Sequence, residues 1–301
     1  MPDGTAPGDV AVLRAAIGAY PHTAALRTGA VTSLRLRLDF ADVSSISRAF
    51  APMVRQARYD VSEMAIATFL MARSLGKPLV LLPVVLAARF QEGALLCRAD
   101  SSLRDPSGLR GCHVGVRAYS QTTGMWLRGI LAESYGVSAQ DIRWVTFEDA
   151  HVEEYHDPAW VERAPPGSDL LHMLCTGVLD AAIVGNDMPE NPGLRTVFPD
   201  PAAAGEAFRN RHGFMPVNHM LTMQRGLSAS RPDLVRELLR LFQRAGAAVS
   251  GPAALQPALD LALRWSSEQG LLAAPLRPQE VWDGLPADLF ADLANDLEHA
   301  P

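Results

Sequence analysis

Three cysteines in 301 residues, Cys97, Cys112 and Cys175, are odd in number, far apart and without a C-x-x-C pair. Neither a disulfide framework nor a zinc site is indicated. Long hydrophobic runs are also missing. The longest, Leu79–Ala88, is interrupted by Pro83 and falls far short of the ~20 residues a bilayer requires. The first ten residues carry Asp3 and Asp9 but no basic segment, and the apolar stretch after them is broken by Arg14. No signal peptide is readable, and a cytoplasmic address is expected. Lys and Arg are scattered in a chain of net charge −6. With no basic stripe and no basic-aromatic interleaving, neither nucleic acid nor a membrane is an expected partner. An anion would have to be held locally, by a few arginines or by helix N-termini. G-x-S-x-G, P-loop and G-x-G-x-x-G motifs are absent as well.

What is present is an ordinary globular composition, 48% hydrophobic and 20% charged. The length suits one large domain or two lobes of roughly 100–150 residues each. Strand-like and helix-like periods alternate. Leu34–Phe40, Tyr59–Val61, Leu79–Leu86 and Ala94–Arg98 read as strands, with helices over Ser45–Gln56 and Met64–Leu75. The pattern restarts with strands Cys112–Arg117, Ile142–Phe147, Asp180–Val184 and Leu194–Phe198 and helices Thr122–Tyr135 and Asp169–Thr176. Met215–Met223 reads as a buried strand, and three helical segments follow from Arg231 onward. Such alternation predicts an α/β fold of two lobes, each a mainly parallel sheet flanked by helices, with a helical C-terminal tail. Breaks at Asp105–Gly111 and Gly185–Gly193 divide the chain into a discontinuous first lobe, 1–104 plus 213–301, and an inserted lobe, 105–212.

Ligands of open α/β sheets bind where strands run into helices. Two such junctions stand out. Ser62 and Glu63 lie where Tyr59–Val61 meets an apolar helix, and Ser62 reads either as an N-cap or as a ligand contact. Ser120, Thr122 and Thr123 crowd hydroxyls at a second helix start, which serves capping and anion binding equally. Arg89 emerges at the end of the most apolar strand. It is either a bidentate carboxylate clamp or a solvated surface residue. Asn218 and His219 interrupt an apolar run, where an imidazole is either a satisfied structural group or an acid/base. His151, Glu153, Glu154, His156 and Asp157 match no helical metal-ligand spacing and read as a polar rim.

The blocks YDVSEMAIATFLMARSLGKPLVLLPV, YSQTTGMWLRGILAESYGV, DAAI and GFMPVNHMLTM, in that order between Tyr59 and Met223, resemble the 4,5-dihydroxyphthalate decarboxylase family. The resemblance implies the type 2 periplasmic-binding-protein fold and loss of CO2 from a hydroxylated aromatic carboxylate. It implies His219 and Glu63 as catalytic residues, with Arg89 as carboxylate anchor. Ser62, Ser120, Thr122, Thr123 and Asn218 would support the substrate. Glu63 would accept a phenolic proton or merely carry charge at a helix start. No cofactor and no protein metal site are expected, although a divalent ion arriving with the substrate stays open, as does a homo-oligomer. One departure stands out. Where the family places a segment close to Ser-Arg-x-Phe-Arg-His, this chain reads Ala88-Arg89-Phe90-Gln91-Glu92-Gly93. Fewer basic groups there point to fewer substrate carboxylates than a phthalate has, or to another orientation. Rival readings on the same scaffold are a solute-binding protein, a lyase similar to the chorismate dehydratases, and the sensing domain of a regulator.

Overall fold

The computed structural model describes residues 10–185, 191–286 and 289. Strands β1 (Ala11–Ala16), β2 (Leu36–Phe40), β3 (Val61–Ala65) and β4 (Leu79–Ala88) come first, separated by helices α1 (Pro21–Arg27), α2 (Ser47–Gln56) and α3 (Ile66–Ser74). The middle third holds β5 (Leu95–Arg98), β6 (His113–Val116), α4 (Thr122–Tyr135), β7 (Arg143–Thr146), β8 (Val161–Arg163), α5 (Leu170–Cys175), β9 (Ala181–Ile183) and β10 (Leu194–Thr196). Helix α6 (Pro201–His212) and β11 (Val217–Gln224) lead back. Helices α7 (Arg225–Ser230) and α8 (Pro232–Arg244), strand β12 (Ala248–Val249) and helix α9 (Pro252–Glu268) then follow. The last expected helix, residues 287–299, lies outside the described residues except for Leu289.

Two six-stranded sheets result, ordered β12-β4-β11-β3-β1-β2 and β10-β5-β9-β6-β7-β8. Both are mixed, parallel over β2-β1-β3 and over β9-β6-β7-β8. β11 runs antiparallel to β3 and β4, and β5 runs antiparallel to β9 and β10. The reason lies in connectivity. A chain that leaves one sheet through β4 and re-enters it through β11 inserts a strand of opposite direction beside its exit. The change of sheet also comes earlier than the break at residue 104 suggests, because β5 already belongs to the second sheet.

Helix α8 shows why the first sheet is covered on one face. Leu234, Val235, Leu238, Leu239, Leu241 and Phe242 are buried at helical spacing and pack with Leu82, Val84 and Leu221 of the sheet. Helix α9 spans the molecule differently, touching both α3 and α4. Its Trp265 lies against Gly129 of α4 so closely that a Cβ there would come within 2.0 Å of the indole. The connector after β4 is joined to the start of β11 by a buried, reciprocal amide pair. Gln91 Nε2 donates to Asn218 Oδ1 (2.8 Å), and Asn218 Nδ2 donates to Gln91 Oε1 (3.2 Å).

Candidate active site

A cavity of about 650 Å³ lies between the two sheets and is lined from both. That volume suits one small organic ligand. The β3–β11 pairing builds its acid/base end. His219 sits opposite Ala65 on β3 and Ala87 on β4, two small residues that leave room for an imidazole. The β4–β11 register shifts on both sides of His219, an irregularity of the kind that re-aims a side chain. Glu63 lies two residues before Ala65, on the same face of β3 by the period of two. His219 Nδ1 donates to Glu63 Oε1 at 2.6 Å. The Tyr20 hydroxyl donates to the same oxygen at 2.6 Å, and the Gly18 N–H donates to Oε2 at 2.8 Å. Glu63 is fully buried and accepts all three. Burial first, and then the Glu63 charge, push the Tyr20 phenol far above its usual range, so it acts as a donor. A carboxylate on Nδ1 puts the hydrogen on that nitrogen and leaves Nε2 as the exchangeable position.

The other end is cationic. Arg89 Nη2 donates to Thr123 Oγ1 at 3.0 Å, and burial lowers the guanidinium below its ordinary range. Among the described residues it has no carboxylate partner. Helix α4 begins beside it with Gln121 as an N-cap whose side chain makes no cap bond. Its first turn therefore presents orphan N–H groups at a wall formed by Ser120, Gln121, Thr122 and Thr123. Thr122 Oγ1 accepts from the Ala67 N–H (3.2 Å), tying the start of α4 to that of α3.

Of the expected site residues, His219, Arg89, Ser120, Thr122, Thr123 and Asn218 line this cavity, and Glu63 reaches it through His219. Asn218 is spent largely on Gln91. Ser62 is a correction. It does not line the cavity and caps no helix; its hydroxyl donates to the Glu63 carbonyl, 2.8 Å away. Strand β3 extends to Ala65 because it pairs with both β1 and β11, so α3 starts at Ile66 and Ser62 falls on the face of β3 opposite Glu63. His151 is a second correction. Far from standing on a polar rim, its ring lines the cavity, with Nδ1 3.0 Å from Thr68 Oγ1. Among the described residues no group of three His, Cys, Asp or Glu side chains is placed to hold a metal.

The sequence reading missed Tyr20, Phe50 and Arg117. Arg117 follows β6 and brings a second guanidinium to the wall, 3.5 Å from Glu148. Its signal was the RAYSQTT junction itself, where the arginine stands three positions before Ser120 of the hydroxyl cluster. The basic character missing after β4 is thus supplied from the opposite sheet. Tyr20 gave no signal, because nothing local links it to a residue more than forty positions away.

Two relatives carry the same name. The chain is 27% identical over 247 residues, 76% of its length and 73% of the relative's, to the 4,5-dihydroxyphthalate decarboxylase of Comamonas testosteroni. It is 28% identical over 163 residues, half of its length and 63% of the relative's, to that of Pseudomonas putida. The resemblance read from the sequence stands. No family model matches the chain. In three dimensions it is similar to the periplasmic aliphatic sulphonate binding protein SsuA from Escherichia coli. There the TM-score is 0.53, at 14% identity, with 97% of this chain and 94% of that one covered. The alkanesulfonate-binding SsuA of Xanthomonas axonopodis pv. citri gives a TM-score of 0.52 at 14% identity, covering 99% and 96%. At such identities the likeness concerns the fold alone, which is the two-lobed binding-protein architecture.

Proposed function

We propose that the protein is a carbon–carbon lyase that removes CO2 from a small hydroxylated aromatic carboxylate, of the 4,5-dihydroxyphthalate kind, in the cavity between its lobes. The observation that carries this reading is the buried Glu63–His219 pair, reinforced by Tyr20, facing the same cavity as the carboxylate-free Arg89. A cavity that only binds an anion has use for Arg89 and the α4 N-terminus. It has no use for a carboxylate buried with three donors behind an imidazole. The decarboxylase names of both relatives point the same way.

In this reading Arg89, Thr123 and the first turn of α4 hold a substrate carboxylate. Phe50 and Phe147 wall the ring, and Arg117 is placed for a second carboxylate. His219 Nε2 delivers a proton to the ring carbon that bears the departing group, while Glu63 holds the imidazole in orientation. The electron pair of the C–C bond returns to the ring as CO2 leaves, and the net exchange is one proton for one CO2. The reading needs no cofactor and places the protein in the cytoplasm. It keeps a discontinuous first lobe and an inserted second lobe, with the first boundary moved from residue 104 back to the segment before β5 and the second left at 212/213.

The test is a panel of hydroxylated benzoates and phthalates incubated with purified protein, with CO2 and product followed by chromatography. Turnover of one member should fall at least about 10²-fold in His219→Ala while its affinity stays within about threefold. Arg89→Met should instead weaken binding, by about ten- to a hundredfold for a lost charged hydrogen bond. Binding of a carboxylate without turnover of any member would leave a binding protein in place of the lyase.

A further inference from the structure

Two imidazoles face the cavity, and their surroundings differ. His219 is backed by a carboxylate. His151 is backed by a hydroxyl, Thr68 Oγ1, and has no carboxylate partner among the described residues. Both rings stand edge-on to Phe50, His151 with centroids 5.4 Å apart and His219 with 5.3 Å. His151 is held in place from the opposite sheet. Arg55 of α2 donates through Nε to the His151 carbonyl (2.9 Å) and through Nη2 to the Ala150 carbonyl (2.7 Å). Burial first, and then the charges of Arg117, Arg55 and His219, push the His151 ring down to about 4, so it is neutral near pH 7. The other acidic group in this part of the wall, Glu148, is occupied by Arg117.

We propose that His151 is the second chemical arm of the site, accepting the hydrogen bond of a ring hydroxyl and taking its proton as His219 protonates the ring. This inference rests on the decarboxylase reading above. The role requires the tautomer in which Nδ1 donates to Thr68 Oγ1, which makes Nε2 of His151 an acceptor. In the ground state a phenol is far too weak an acid to give its proton to such a ring, so the two share a hydrogen bond only. Protonation of the ring carbon by His219 makes a para hydroxyl strongly acidic, since its oxygen then carries the positive charge. The O–H bond breaks toward His151, and its electron pair forms the carbonyl of a neutral dienone. When the C–CO2 bond breaks, its pair restores the aromatic ring and the oxygen takes its proton back from His151. His151 ends unchanged, and the proton given by His219 stays on carbon. The interaction is stronger in the transition state than in the ground state, which is what acceleration requires.

The experiment compares native protein, His151→Gln and Thr68→Val. Turnover is read with 4,5-dihydroxyphthalate, and binding by calorimetry with 4,5-dihydroxyphthalate and its 4,5-dimethoxy analogue. His151→Gln should lower kcat by about 10²-fold or more with KM within about threefold. Native protein should prefer the dihydroxy ligand by about tenfold, and the variant should lose that preference. Thr68→Val, close to isosteric, should keep the fold and lower kcat by about tenfold by freeing the ring. A kcat in His151→Gln within about threefold of native, or an unchanged hydroxyl preference, overturns the assignment and leaves the decarboxylase reading intact. No turnover by native protein overturns both.

Discussion

Glu63 shows how much a single side chain is asked to carry. It is fully buried and satisfied by Tyr20, Gly18 and His219. An amide cannot replace it without placing N–H groups against at least one of those donors. Glu63→Gln is therefore expected to lose about 1–3 kcal/mol, seen as a lower urea midpoint at unchanged slope. His151 makes a second prediction, in pH. Its ring is held near 4 in the folded chain and titrates near 6.5 when unfolded. Between those values the unfolded state binds more protons, so stability present above pH 6.5 is lost as pH falls toward 4. The loss is on the order of 3 kcal/mol. Native protein should lose that much more than His151→Gln between pH 7.5 and pH 4, measured by urea melts of both. At this scale the sequence was legible where chemistry contradicts its surroundings. His219 stood out because an imidazole in an apolar strand needs a reason. Tyr20 did not, because its importance comes from Glu63 more than forty positions away. Ser62 misled, because its face of β3 depends on where the strand ends.

Elements were readable when their ends are local. Helix α4 begins at Thr122 and ends before Gly136, which adopts a positive φ of 66°, and both limits follow from residues in the chain. The α3 boundary was displaced because the Val61–Ala65 segment gains more from pairing on both sides than from starting a helix. The mixed sheets could not be read at all, since strand direction follows from where the chain crosses between lobes. Packing of α4 on α9 offers a sharp test. A methyl at Gly129 would overlap the Trp265 indole, so Gly129→Ala should cost about 1–3 kcal/mol despite its better helix propensity. A melting temperature lowered by a few degrees checks it, and a raised one would show that the indole moves aside freely.

For the whole molecule, the segment 148–157 is fastened across the cavity. Arg55 bonds the carbonyls of Ala150 and His151, Lys77 pairs with Glu154, and Thr68 meets His151. Such partly exposed bonds are each worth little, up to about 1 kcal/mol. Together they decide whether His151 is presented to the cavity. Arg55→Ala should speed hydrogen exchange at the Tyr155 amide, which donates to the Val152 carbonyl, by about fivefold while leaving the global unfolding midpoint nearly unchanged. Equal changes in both would mean that the segment opens only when the chain unfolds.

The paired amides of Gln91 and Asn218 have a consequence for distance. They join the stretch that leaves the first sheet after β4 to β11, the strand by which the chain returns to it, two positions from Arg89 and one from His219. Each amide satisfies the other inside the core, so neither backbone segment can shift without leaving a buried polar group unpaired. The pair thus ties the backbone that carries the anion clamp to the backbone that carries the proton donor.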